Sequence, residues 1–276
     1  MKEFPQGGLI GKTVHLFRQI RALRIPVYAA NASFFIVLAL FPALLLFLSA
    51  LHYTPFEVEG IAQLLQGLLP KVFLEAAEEL ILLTYDAASG VTLGLSAVTT
   101  LWSASRGIHG VLTGLNGIYG LTESRSWLKT RCISMVFTIL LLLALLLTLG
   151  LNVFGDALAG FLERLELPVL GLFLELVDLR LVVLVAVQTG VFTAMFMAMP
   201  DRKIGIRESL PGALLSSGGW LIFSNLFSVY VAFFGKLGNV YGSLYVLPLG
   251  MLWLYCCMSI LFYGGALNRL LAEGKL

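Results

Sequence analysis

Charge is what this sequence has least of. Only 12% of its 276 residues are Asp, Glu, Lys or Arg, against 59% hydrophobic, whereas a soluble domain carries about 25% charged residues. A water-soluble globule is thereby excluded. Cysteine is scarce as well: Cys132, Cys256 and Cys257 lie in or beside apolar runs, with neither a disulfide framework nor a zinc-ligand spacing among them. The three histidines, His15, His52 and His109, sit in separate segments. HExxH, GxSxG and glycine-rich phosphate-loop motifs are all missing. Metallohydrolase, phosphoryl-transfer and self-contained ATP-driven mechanisms therefore lack their ligands. The reading is a non-enzyme with no cofactor and no bound metal.

What is abundant is apolar sequence in long runs. Several runs exceed the ~18 residues at which a transmembrane helix becomes the default assignment. Six spans are predicted, over 27–51, 91–118, 131–153, 179–199, 209–234 and 242–267, giving an all-α polytopic membrane protein. With the N-terminus placed inside, 14 of the 18 Lys and Arg residues fall on the inner side and 11 of the 16 acids on the outer side. The bias of Lys and Arg toward cytoplasmic loops then puts both termini in the cytoplasm. The first 26 residues are too long and too amphipathic for a cleavable signal, so the first span reads as a retained anchor.

Domain organisation follows from the same runs. Residues 1–26 form a basic amphipathic segment. In "LIGKTVHLFRQIRALR" Lys12, His15 and Arg18 share one side of a helix, a pattern suited to an anionic membrane surface. Residues 27–270 form the transmembrane domain and 271–276 a cytoplasmic tail. Within the domain, 54–88 shows helical apolar spacing on both sides of Pro70, predicting amphipathic helices that cap the outer face. Residues 156–175 repeat the device on a smaller scale.

The most informative stretch is "TTLWSASRGIHGVLTGLNGIYG", residues 99–120. Positions three and four apart share a helix face. Ser96, Thr100, Ser103, Gly107, Gly110, Gly114 and Gly117 fall on such a stripe. Small residues let helices approach closely where lipid offers little hydrophobic drive, so this helix is expected at the centre of the bundle. Beside it run Thr99, Trp102, Arg106, His109, Thr113 and Asn116. This polar stripe has two readings. It lines a cytoplasm-facing cavity in which Arg106 receives an anionic group, since ionisable residues at membrane depth mark pathways or partners. Alternatively the helix emerges near Arg106 and its polar groups are wet.

Other polar or helix-breaking residues interrupt the spans. Pro42 is expected to kink the first and Pro248 with Gly250 to interrupt the sixth. Asn31 lies near the inner end of the first span, and Asn225 sits on the polar half of the fifth.

Several phrases together resemble one family. "ANASFFIVLALFP", "LWSASRGIHGVLTGLNGIYG" followed by "SRSWLKTR", and "YGSLYVLPLGMLWLYCCMSILFYGGALNRL" are similar to the YihY/BrkB family of bacterial inner-membrane proteins, formerly labelled ribonuclease BN. The likeness runs through 27–270. It implies an inner-membrane, multi-pass protein of transport, envelope or virulence-associated function, and lipid or lipopolysaccharide-precursor export has been suggested for some members. Carried over by motif, Pro42 matches the first-span proline. Arg106, Asn116 and Tyr119 match "SxSRG…LNxxY", Arg131 the basic residue opening the third span, and Tyr241, Gly242, Trp253 and Tyr255 "YG…WLY". One departure stands out: where the family often has Glu in a "GAELN"-like pattern, this chain has Ala266, while Asn268 is kept.

The leading expectation is an inner-membrane transporter or exporter of an anionic lipid or amphiphile. Arg106, His109, Asn116, Tyr119, Asn31, Arg131 and Asn225 are its candidate substrate-binding residues. Pro42, Gly107, Gly110, Gly114, Pro248, Tyr241, Gly242 and Trp253 are its structural or gating residues. Membrane lipids and a second copy of the chain are the expected partners, and nucleic acid is not among them. The alternative is a non-transporting envelope scaffold using the 54–88 cap. A membrane nuclease is disfavoured because Glu3, Glu123, Asp201, Glu208 and Glu273 are scattered in the sequence.

Overall fold

The computed structural model of the protein describes residues 18–51, 90–141, 143–144, 179–234 and 246–274, with only the backbone described over 40–51. Every regular element among them is helical. After helical residues 18–22 come α1 (Ile25–Leu51), α2 (Gly90–Tyr119), α3 (127–141), α4 (Leu179–Ala198), α5 (Ile206–Phe234) and α6 (Val246–Ala272). The expected segments 54–88 and 156–175, and Tyr241 and Gly242, lie outside the described residues.

Local chemistry sets the helix ends. Arg24 adopts a left-handed φ of 51°, which ends the helical stretch before it, and Pro26 then sits in the first turn of α1, where its missing N–H costs nothing. At the end of α2, Gly120 has φ 69°. Its N–H donates to Gly117 O at 3.2 Å and the Leu121 N–H to Asn116 O at 2.8 Å. This paired closure needs a left-handed residue, which glycine supplies without strain. Pro248 and Gly250 do not interrupt α6 as expected: the helix is continuous from Val246 to Ala272.

Two stretches, Ile206–Val231 and Leu247–Ala272, are long and apolar enough to cross a membrane. Large apolar side chains such as Leu214, Ile222, Leu226 and Leu252 face outward from them. In water that outward face would be a liability; in a bilayer it is the solvated surface.

The helices join where side chains are smallest. α2 lies along α1, and a Cβ on Gly107 would stand 2.5 Å from Ile36 Cγ1, one on Gly110 3.2 Å from Ala32 Cα, and one on Gly114 2.6 Å from the Phe262 ring. The glycine stripe thus meets α1 along its length and α6 at one end. α5 and α6 cross just as closely, because a Cβ on Gly264 would stand 2.5 Å from the Gly212 carbonyl oxygen. α6 touches α1, α2 and α5, and α4 packs on α5. α6 joins the α1–α2 pair to the α4–α5 pair. The core between them includes Leu112, Leu115, Phe196, Met258 and Phe262. Trp220 bridges Phe192 at 5.6 Å and Trp253 at 5.8 Å between ring centroids, linking α4, α5 and α6.

Gly264→Ala therefore pushes α5 from α6 and is expected to destabilise the detergent-solubilised protein by about 1–3 kcal/mol. Gly190→Ala, where nothing lies within 4 Å, is expected to be neutral or slightly stabilising. Thermal unfolding of both variants in one detergent checks the pair.

Candidate functional site

Two loops meet at one end of the bundle, 120–126 between α2 and α3 and 199–205 between α4 and α5. Arg125 sits between them with its side chain only 8% exposed. Its Nε donates to Glu123 Oε1 at 2.6 Å, and its Nη2 to Glu123 Oε2 at 2.7 Å and to the Met199 carbonyl at 2.8 Å. Asp201 Oδ1 stands 3.4 Å from the same Nε. The Ser124 N–H donates to Asp201 Oδ2 at 2.7 Å, and the Ser124 hydroxyl donates to that oxygen too. Asn116, from the last turn of α2, completes the clasp. Its Nδ2 donates to Glu123 Oε2 at 2.9 Å, and its Oδ1 accepts the Asp201 N–H at 2.8 Å.

The charges respond as the geometry requires. Hydrogen bonds from Arg125 hold the Glu123 carboxyl below its ordinary range. Those from the Ser124 hydroxyl and N–H do the same for Asp201. Arg125 is in turn held more firmly protonated, chiefly by Glu123.

Arg131, in the second turn of α3, is placed differently. It is 8% exposed. Its Nη2 donates to the Trp102 carbonyl at 2.8 Å, and its guanidinium carbon lies 4.2 Å from the Trp102 ring centroid. Its Nε is buried with no hydrogen-bond partner, and among the described residues it forms no ion pair. The exposed Arg106 lies close enough for the two cations to repel. His109, half-buried and within the field of Arg131, also has a buried Nδ1 without a partner. A guanidinium only donates, and a neutral imidazole has one donor and one acceptor nitrogen. Arg131 therefore keeps a buried donor that no described group accepts.

The other expected site residues disperse. Asn31 is exposed beside Gly110. Asn225 is exposed and donates to the Leu221 carbonyl of its own helix at 2.8 Å. Tyr119 lies near Asn268, with its hydroxyl buried. Asn268 is the residue that sequence reasoning undervalued. One residue beyond Pro211, the Gly212 N–H donates to Asn268 Oδ1 at 2.6 Å, and Asn268 Nδ2 donates to the Ser209 carbonyl at 3.0 Å. Two cavities open at the clasp end, one of about 80 Å³ beside Tyr119, Arg202 and Asn268, the other of about 420 Å³ beside Arg24 and Arg269. Neither is lined by Arg106 or Arg131. Among the described residues no group of three or more His, Cys, Asp or Glu gathers to hold a metal.

A profile described as virulence factor BrkB matches residues 16–275. The chain belongs to the BrkB family. It is 30% identical to YfkH of Bacillus subtilis, a protein named ribonuclease-like, over 90% of each chain. It is 26% identical to a UPF0761 membrane protein of Photobacterium profundum, over 96% of this chain and 82% of that one. A UPF0761 membrane protein of Tolumonas auensis is 25% identical over 94% and 85%. No solved structure matches the chain.

In this BrkB-family membrane protein the motif residues divide by task. Asn116 is committed to the clasp, and Asn268 to the α5–α6 crossing, with Ala266 buried beside it. Arg131 alone among them keeps a buried charge with a free donor.

The clasp makes stability depend on pH with a defined sign. Both carboxyls ionise at lower pH in the folded chain, so their contribution is fully present above the ordinary values of about 4. It is lost as pH falls through the folded values below that, because the unfolded chain then binds more protons. The clasp's contribution to the thermal unfolding midpoint, read as the difference between wild type and Glu123→Gln, is expected to be level between pH 7 and about 5, then to fall. Glu123→Gln is expected to lower the midpoint at pH 7 and to flatten the acid decline.

Proposed function

We propose that this protein is a transporter in the bacterial cytoplasmic membrane that moves an anionic lipid or amphiphile. In this reading it has six spans, both termini lie in the cytoplasm, and the clasp end faces the cell interior. One observation carries the proposal: the buried Arg131, which forms no ion pair with a described carboxylate and keeps an unpartnered Nε. A charge at membrane depth costs about 2.5–3.5 kcal/mol on insertion scales. The stacked indole of Trp102 offsets about 0.5–2 kcal/mol of that, leaving a cation that an anionic headgroup neutralises. Arg106 adds attraction at the exposed rim, and His109 offers a second polar contact. The membrane family, the outward apolar surface and the inner-side clustering of basic residues all suit this role.

The test is transfer of a labelled anionic phospholipid across proteoliposomes. Wild type is expected to accelerate it, Arg131→Gln to reduce the rate at least ten-fold, and Arg106→Ala to reduce it less. Equal rates in all three would overturn the role of Arg131. Transfer in none of them would favour a non-transporting membrane scaffold.

A further inference from the structure

The 420 Å³ cavity has a chemistry of its own. It lies between helical residues 18–22, the start of α1 and the ends of α2 and α6, with Leu23, Arg24, Tyr28, Gly117, Arg269 and Glu273 on its walls. The volume is within the range of small-ligand sites, about 300–1,000 Å³. The lining divides by polarity. Ile20, Leu23, Leu270 and the Tyr28 ring make an apolar side, with Ile20, Leu23 and Tyr28 backed by the core. Gly117 lets the tyrosine lie there, because a Cβ at 117 would collide with the Tyr28 hydroxyl.

The polar side is cationic. Arg269 is oriented at two points, its Nε donating to Glu273 Oε1 at 2.7 Å and its Nη1 to the Ile118 carbonyl. Its Nη2 donates to no described group. Arg24 forms no ion pair with any described residue. It is held at φ 51°, a conformation costing a non-glycine residue of order 1–3 kcal/mol that clusters at ligand clamps. The Val27 and Tyr28 N–H groups both turn to the Arg24 carbonyl, fixing the backbone from which its side chain leaves. Arg18 and Arg21 sit exposed on the helical stretch before it. Two arginines, Arg24 and Arg269, thus line the cavity with one carboxylate, Glu273.

We infer that this cavity binds an amphiphilic phosphate, the phosphate received by Arg24 and Arg269 and an alkyl part laid along Ile20, Leu23, Leu270 and the Tyr28 ring. Guanidinium forks match phosphate oxygens in pairs and stay charged at every physiological pH. A bare ion would leave the apolar wall uncovered, and an alcohol would leave both forks unused. The site is separate from Arg131 and does not depend on transport.

Isothermal titration of the full chain in neutral detergent, with decyl phosphate, decanol and inorganic phosphate as probes, tests it. Decyl phosphate is expected to bind at least ten-fold tighter than either other probe. Arg24→Asn tolerates the left-handed backbone and removes the charge. It is expected to weaken decyl phosphate at least ten-fold with the unfolding midpoint unchanged. Arg131→Gln is expected to leave this affinity as in wild type. Equal affinity in wild type and Arg24→Asn would overturn the site. Inorganic phosphate binding as tightly as decyl phosphate would overturn the amphiphile and leave a plain anion site.

Discussion

Backbone touching backbone is the contact on which this structure depends. Where the surroundings are as apolar as the side chains, burying leucine gains little, and helices adhere through close packing and shared polar groups. The α1–α2 and α5–α6 seams both meet that condition, the first through Gly107 and Gly110, the second through Gly212 and Gly264. Such proximity brings polar backbone within reach of side chains from the facing helix. Asn268 uses it to serve two backbone groups of α5. Close approach and internal hydrogen bonding are therefore one device here.

Much of this was legible in the sequence, for physical reasons. Apolar runs mark helices well, and the spans expected at 27–51, 91–118 and 179–199 differ from α1, α2 and α4 by two residues or fewer at each end. The glycine stripe was readable because steps of three and four trace one helix face. The α5–α6 crossing was not, because Gly212 and Gly264 lie on separate helices, far apart in the sequence. Nor was the clasp: Arg125 and Asp201 are far apart in sequence, and only the meeting of two loops joins them. The two arginines of the polar region divide by a local accident of packing. Arg106 and Arg131 look alike in sequence, yet the Trp102 indole and carbonyl cover Arg131 and leave Arg106 in the open.

Three buried or half-buried arginines show three degrees of commitment. Arg125 spends its donors on a carboxylate and a carbonyl and is shielded by two acids. Arg269 is tied at Nε and Nη1 and keeps one nitrogen free. Arg131 has one carbonyl and one aromatic face, and no acid among the described residues. A fully paired arginine rigidifies, whereas an unpaired one in a low-dielectric setting attracts negative charge strongly. Exposure alone does not show that difference, since Arg125 and Arg131 are both largely covered.

The bridging place of α6 bears on how the protein is made. It follows all the other described helices in the chain, so the ribosome delivers the α1–α2 and α4–α5 pairs before the element that binds them to each other. Until it arrives, Gly114 and Gly212 lack the α6 groups they pack against, and among the described residues the two pairs are joined through the clasp of Asn116, Ser124 and Arg125 with the 199–205 loop. The α5–α6 crossing is thus the last of these contacts to form, and a chain released before residue 246 holds its two pairs by the clasp alone among the contacts described.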